Sequence, residues 1–175
     1  MIRSLTRSLP LMLALLVAGC GEETASIPVP KEPGPGATGF FCRMTLAEHQ
    51  GPKGQILPKG WSEPLWFSSV RDALTYIGQD IISERELASF WVNDMEQGSW
   101  DKPALGSWID AQSAWYVIDS KKSSGMGGSE AVPFRRREAA EGFAAQFGGR
   151  VLGYAEARDA INEPPEIPDT EASGT

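Results

Sequence analysis

Leu65-Trp66-Phe67-Ser68-Ser69-Val70-Arg71-Asp72-Ala73-Leu74-Thr75-Tyr76-Ile77-Gly78 reads as two elements joined without a loop. Leu65-Trp66-Phe67 is a short aromatic strand. Ser69 is a helix cap, with Asp72 three residues on as an acidic capping partner. Val70, Ala73, Leu74 and Ile77 then recur at helical spacing and give one apolar stripe. Gly78 helps to end the helix.

The same device occurs a second time. Ala131-Val132-Pro133-Phe134 is extended, and Arg136 to Phe147 is an amphipathic helix with Ala139, Ala140, Phe143, Ala144 and Phe147 on one face. Gly148-Gly149 stops it. Around these two junctions the chain alternates regularly. Cys42 to Ala47 is expected as a first strand, Gly51-Pro52-Lys53-Gly54 as a turn, and Gln55-Ile56-Leu57 as a return strand. Leu87 to Val92, Ala114 to Ile118 and Val151-Leu152 are further strands, and Tyr154 to Ile161 is a last short helix. The expectation is an α+β domain over residues 41–160, built from a duplicated strand–strand–helix–strand unit.

The N-terminus reads as an address. Arg3 and Arg7 precede the apolar run Leu11 to Ala18, which is too short to span a bilayer as a helix. Val17-Ala18-Gly19-Cys20 resembles the bacterial lipobox, which implies a signal peptide over 1–19, cleavage before Cys20 and acylation of Cys20. Gly21 after the acylated cysteine leans, by analogy with lipoprotein sorting, to a periplasm-facing place on the outer membrane. Residues 20–40 are rich in Pro and Gly and are expected to be an extended tether, reaching at most roughly 60 Å at ~3 Å per residue. Residues 161–175 are an acidic, Pro-rich tail expected to be disordered.

The chain has two cysteines. Acylation uses Cys20, so Cys42 has no internal partner, and an unpaired thiol in an oxidising compartment is a liability unless it is buried or used. Met44 stands two residues on, where a strand would put thiol and thioether on one face. That pair of soft donors suits Cu(I) far better than Mg, Ca or Mn. Met126, in Ser124-Gly125-Met126-Gly127-Gly128-Ser129, has almost no apolar neighbours to pack against, so it is a third candidate ligand on a glycine loop. His49 is the single histidine; a solvated loop histidine and a metal ligand fit its position equally. Met95 and the strand residues Trp91 and Trp115 read as packing, and Trp61 and Trp100 as surface recognition residues.

Cys42-x-Met44, His49-x-Gly51-Pro52-Lys53-Gly54-Gln55, Trp66 to Asp72, Trp108-Ile109-Asp110-Ala111, Gly125-Met126-Gly127 and Pro133-Phe134 occur in this order after the lipobox. Together they resemble NosL, the copper-binding accessory lipoproteins of nitrous oxide reductase. One departure is that Thr38-Gly39-Phe40-Phe41 stands where many members carry a second cysteine. The resemblance implies paired strand–helix units akin to organomercurial lyase. It also implies delivery of Cu(I) for nitrous oxide reductase maturation in denitrification, with an ABC-type membrane complex as partner.

Charge and composition narrow the classes. The formal charge is -7, and loss of Arg3 and Arg7 with the signal makes the mature chain more acidic by two charges. Such a chain is a poor candidate for nucleic-acid binding. Asp110 and Asp119 lack a paired base, and lyase chemistry would need paired thiolates, so no enzyme is expected. Lys121-Lys122 and Arg135-Arg136-Arg137 read as a solvated face, with Arg137 paired to Glu141. The alternative to copper transport is a metal-free assembly lipoprotein that docks on a membrane complex and buries Cys42 as core.

Overall fold

The computed structural model describes residues 26–125 and 127–164. Among the described residues seven strands form two antiparallel sheets, and three helices pack on them. The first sheet contains β1 (Gly54–Pro58), β2 (Leu65–Phe67), β3 (Leu87–Asn93) and β4 (Trp108–Asp110), in the order β2-β1-β3-β4. The second contains β5 (Trp115–Ile118), β6 (Val132–Phe134) and β7 (Arg150–Leu152), in the order β6-β5-β7. Helix α1 (Val70–Gly78) links β2 to β3, α2 (Arg137–Phe147) links β6 to β7, and α3 (Tyr154–Asn162) follows.

The duplication is visible in the pairing. In each unit a central strand lies between the strand before the helix and the strand after it, antiparallel to both. The sequence stripe of α1 is its buried face: Val70, Ala73, Leu74 and Ile77 are all nearly inaccessible. They meet Ile56, Phe67, Phe90, Val92 and Ile109 from the inner face of the first sheet, in a cluster that also takes Tyr116 and Ile118. The alternate residues of the second sheet, Val117, Val132 and Phe134, point the other way and pack with Ala140 of α2. This period-two division lets β5 serve two cores at once. Helices α1 and α3 pack together between the sheets, and α2 closes the far side.

Three expectations need correction. Cys42 to Ala47 is not a strand. Residues 38–45 form a tight hairpin with one bridge, Thr38 to Thr45, and Leu46–Glu48 is a turn of 3-10 helix. Gly39 N–H donates to the Met44 carbonyl and Arg43 N–H to the Gly39 carbonyl, so these groups are spent within the turn, and Arg43 sits at φ 58. The tether is not free along its whole length either. The Trp91 indole donates to the Pro28 carbonyl, Lys31 and Gln55 exchange two hydrogen bonds, and Glu32 accepts from Gly106 N–H and the Trp108 indole. The segment from Pro28 is therefore a strap over the outer face of the first sheet, whose polar and indole groups give an apolar-poor chain something to bind. Finally, Trp115 packs on the second cluster as a half-buried residue, as expected, whereas half-buried Trp91 is taken up by the strap. Trp100 stacks on Phe143 instead of facing solvent. Met95 packs against the second cluster, as expected. Cys20 and Met126 lie outside the described residues, as does the tail from Pro165, while Ile161 and Asn162, expected in that tail, end α3.

Candidate metal centre

The strand-to-helix junction of the first unit builds the floor of the site. Phe67 ends β2, and Ser69 caps α1 by accepting from Asp72 N–H. Ser68, between them, is buried and places Oγ 3.4 Å from the Cys42 thiol. The hairpin brings Cys42 to this point because Phe40 N–H is pinned to the Trp66 carbonyl. Gly39 leaves the space: a Cβ there would stand 2.6 Å from Cys42 Sγ and 3.3 Å from Ser68 Oγ.

The 3-10 turn after the hairpin delivers the imidazole. His49 closes it, donating its N–H to the Leu46 carbonyl. Its side chain is 6% exposed, and Nε2 lies 3.8 Å from Cys42 Sγ. A ring this well buried is not a solvated loop histidine. The glycine loop covers the ring from the other side. A Cβ on Gly125 would come within 2.8 Å of His49 Nδ1, so a glycine is required for that approach.

The loop is anchored at both ends. Ser123 and Ser129 form a bridge, and Lys122 holds its ammonium over the Trp100 and Phe147 rings. On the far stem, Arg71 donates to Ser129, and Glu130 is fully buried with Oε1 accepting from Ser69 Oγ, Arg71 N–H and Ala131 N–H. Among the described residues Glu130 Oε2 has no hydrogen-bond partner. Burial pushes the Glu130 carboxyl up to about 7, against its three hydrogen bonds. Burial also lowers Lys53 to about 8, offset in part by Glu130. Lys53 donates to the Gln50 and Gly51 carbonyls and so fixes the chain just after His49.

Cys42 and His49 are thus brought together at one corner, and Gly125 places the loop carrying Met126 against the same ring. Met44 is on the hairpin beside them, 46% exposed, and its carbonyl rather than a shared strand face is what lies near the thiol, at 4.0 Å. The pleat argument for the Cys42–Met44 pair therefore does not hold, although the two stay neighbours in the turn. Among the described residues no three His, Cys, Asp or Glu side chains converge. One thiol and one imidazole cannot complete a tetrahedral Zn site, where Cys and His would fill four positions. They can begin a low-coordinate site for a soft ion if thioethers supply the rest. Sequence reasoning missed Gly39, Ser68 and Gly125; the only trace was that both glycines border a candidate ligand segment.

The equivalent corner of the second unit is different. Arg135, Arg136 and Arg137 replace the serines, and Arg136 pairs with Glu96 and Arg137 with Glu141. This is the solvated, ion-paired face expected from the sequence.

Comparison with known proteins places the chain in a family. The NosL family model matches residues 30–161. The chain is 44% identical over 152 residues to the copper-binding lipoprotein NosL of Achromobacter cycloclastes, covering 85% of this chain and 77% of that one. It is 33% identical over 157 residues to the copper-binding lipoprotein NosL of Stutzerimonas stutzeri, covering 87% and 80%. The crystal structure of the copper chaperone NosL from Shewanella denitrificans superposes with a TM-score of 0.68 at 27% identity, over 73% of this chain and 94% of that one. The match begins inside the strap and runs to the end of α3, and on this ground the chain belongs to the NosL family.

Proposed function

We propose that the protein is a lipid-anchored, periplasm-facing copper chaperone that holds Cu(I) between Cys42 and His49 and passes it on for the maturation of nitrous oxide reductase. The observation that carries this reading is the 3.8 Å approach of a single thiol to a single buried imidazole, covered by a glycine loop bearing Met126. Copper is the cargo here, not a resident cofactor. Cys42 supplies the anionic donor, His49 a nitrogen donor in fixed orientation, and Met44 and Met126 the exchangeable thioethers. An exposed Met44 suits ligand exchange, since an acceptor site can replace it without unfolding the pocket. The relatives named as copper-binding lipoproteins and the neighbour titled a copper chaperone support the same assignment. Acylation of Cys20 supplies the anchor, with the outer membrane favoured by the residue after it. The ABC-type maturation complex is the proposed partner, and binding and transfer rather than catalysis are the proposed work.

X-ray absorption on the Cu(I)-loaded protein tests the donor set. The expected spectrum contains one imidazole together with sulfur scatterers in a two- to four-coordinate shell. A shell of nitrogen and oxygen alone would contradict the assignment.

A further inference from the structure

The strap changes how far the domain can stand from its anchor. Cys20 and Pro28, the first residue held by a hydrogen bond to the sheet, are separated by residues 21–27. At ~3.3 Å per residue that chain spans roughly 25 Å at full extension, less than half the reach of the whole Pro/Gly segment. A domain of this size on so short a leash meets the lipid surface continually, and its surface at the strap entrance decides how.

That surface exposes three large apolar side chains among charged ones. The end of the first sheet where Pro58 pairs with Leu87 carries two depressions, one on each side of the Glu84 to Leu87 segment. Trp61 and Ile81 line the first, and Ile27, the last residue before Pro28, lines the second. They are 58%, 50% and 60% exposed. Lys59 and Arg85 border the first depression. The acidic neighbours are largely engaged: Glu84 with Arg158 and Tyr154, Glu86 with Ser83 N–H, Glu63 with Lys31, and Asp110 of the second depression with Gln112 N–H; Asp80 adds one more negative charge beside Ile81. Tryptophan and large aliphatic side chains flanked by cations favour the membrane–water interface. The Cys42 corner lies at the opposite end of the same sheet, where Gly54 pairs with Phe67.

We infer that the pole formed by Trp61, Ile81 and Ile27 rests on the lipid surface that holds the acyl chains, so that Cys42 and His49 face away from the membrane. The inference rests on the anchored-chaperone reading above. A partner protein covering this pole is the competing occupant; the short chain that ends there favours lipid.

The test is amide exchange on the acylated chain in protein-free vesicles of phosphatidylethanolamine and phosphatidylglycerol, with unacylated Cys20→Ser protein as the soluble reference. Exchange at 59–62 and 80–86 should slow about three- to tenfold in the vesicles, and exchange at 39–46 should not change. Trp61→Ser/Ile81→Ser should lose the slowing while still sedimenting with the vesicles and melting near the wild-type temperature. Unchanged exchange at the pole, slowing at 39–46, or slowing seen only in native membranes with their proteins would each overturn the inference. A wild-type chain that never enters the vesicles would remove the anchor reading itself, and this orientation with it.

Discussion

The two units share their strand order and their helix placement, yet only one of their strand-to-helix corners holds a thiol and an imidazole. At α1 the junction residues are Ser68 and Ser69, and a buried carboxylate from the other unit, Glu130, accepts the Arg71 N–H. At α2 the junction residues are Arg135 and Arg136, and a buried carboxylate from the other unit, Asp94, accepts the N–H of Arg135, two residues before the helix. A buried carboxylate at the strand-to-helix junction is therefore common to both corners. What makes a site of one corner is room: two small hydroxyl residues, and Gly39 and Gly125 admitting Cys42 and His49. The arginines at the other corner stand out into solvent, each more than half exposed, and spend their charge on Glu96, Glu141 and Asp94.

The largest separation between the corners should come from the donor itself. Cys42→Ala should lower Cu(I) affinity on the order of a thousandfold, roughly 4 kcal/mol, because an anionic thiolate is lost. Arg136→Ala at the other corner should leave copper affinity unchanged in the same competition assay. Equal effects of the two changes would mean that the corners are not distinguished by copper.

Room around the thiol is next. Gly39→Ala puts a methyl group 2.6 Å from Cys42 Sγ and 3.3 Å from Ser68 Oγ, so the hairpin must shift. Affinity should fall about 10- to 100-fold, the range for disturbed support of a ligand. An unchanged affinity would show that the thiol is free to move.

Glu130 separates structural support from metal binding. Burial raises its folded pKa to about 7, above the carboxyl value of 4.5. Between those values the native state holds a proton that the unfolded chain has lost. The stabilising part of this linkage is present below 4.5 and is lost as pH rises through about 7. Glu130→Gln should therefore flatten the decline in stability between pH 4.5 and 7 and be more stable than the wild type at pH 8, where the buried carboxylate is charged. Thermal melts across pH would show this; a wild type whose stability rises between pH 4.5 and 7 at the expense of the variant would count against it.

The smallest effect belongs to the second corner. Arg137→Ala removes an exposed pair to Glu141 and a contact with the Trp115 ring. Stability should drop by about 0.5 kcal/mol or less from the ion pair, with somewhat more from the ring, and copper affinity should not move.

The repeated unit was legible because its signals are local. Ser69 before Val70, the 3.6-residue stripe of α1 and Gly148 after Phe147 each act within a few residues, and each stands where it was expected. The candidate ligands were legible by elimination, since one free thiol and one histidine leave few choices. The geometry joining them was not. Cys42 to Ala47 was expected as a strand, but the Gly39 and Arg43 backbone groups close a turn that no side-chain period announces. The strap was misread because its partners, Trp91, Gln55 and Trp108, lie far away in sequence, and Pro/Gly composition says nothing about distant acceptors. β4 was likewise unannounced: Trp108-Ile109-Asp110 is too short to show a period and is held by its register with Trp91 to Asn93.

Competitive titration of the protein with Cu(I) against a chromophoric chelator, repeated across pH, tests the central claim most directly. One Cu(I) per domain should bind far more tightly than to a free thiol peptide, and affinity should rise with pH because copper displaces the thiol proton. Binding no tighter than to the peptide, or an affinity independent of pH, would contradict a copper site built on Cys42 and His49.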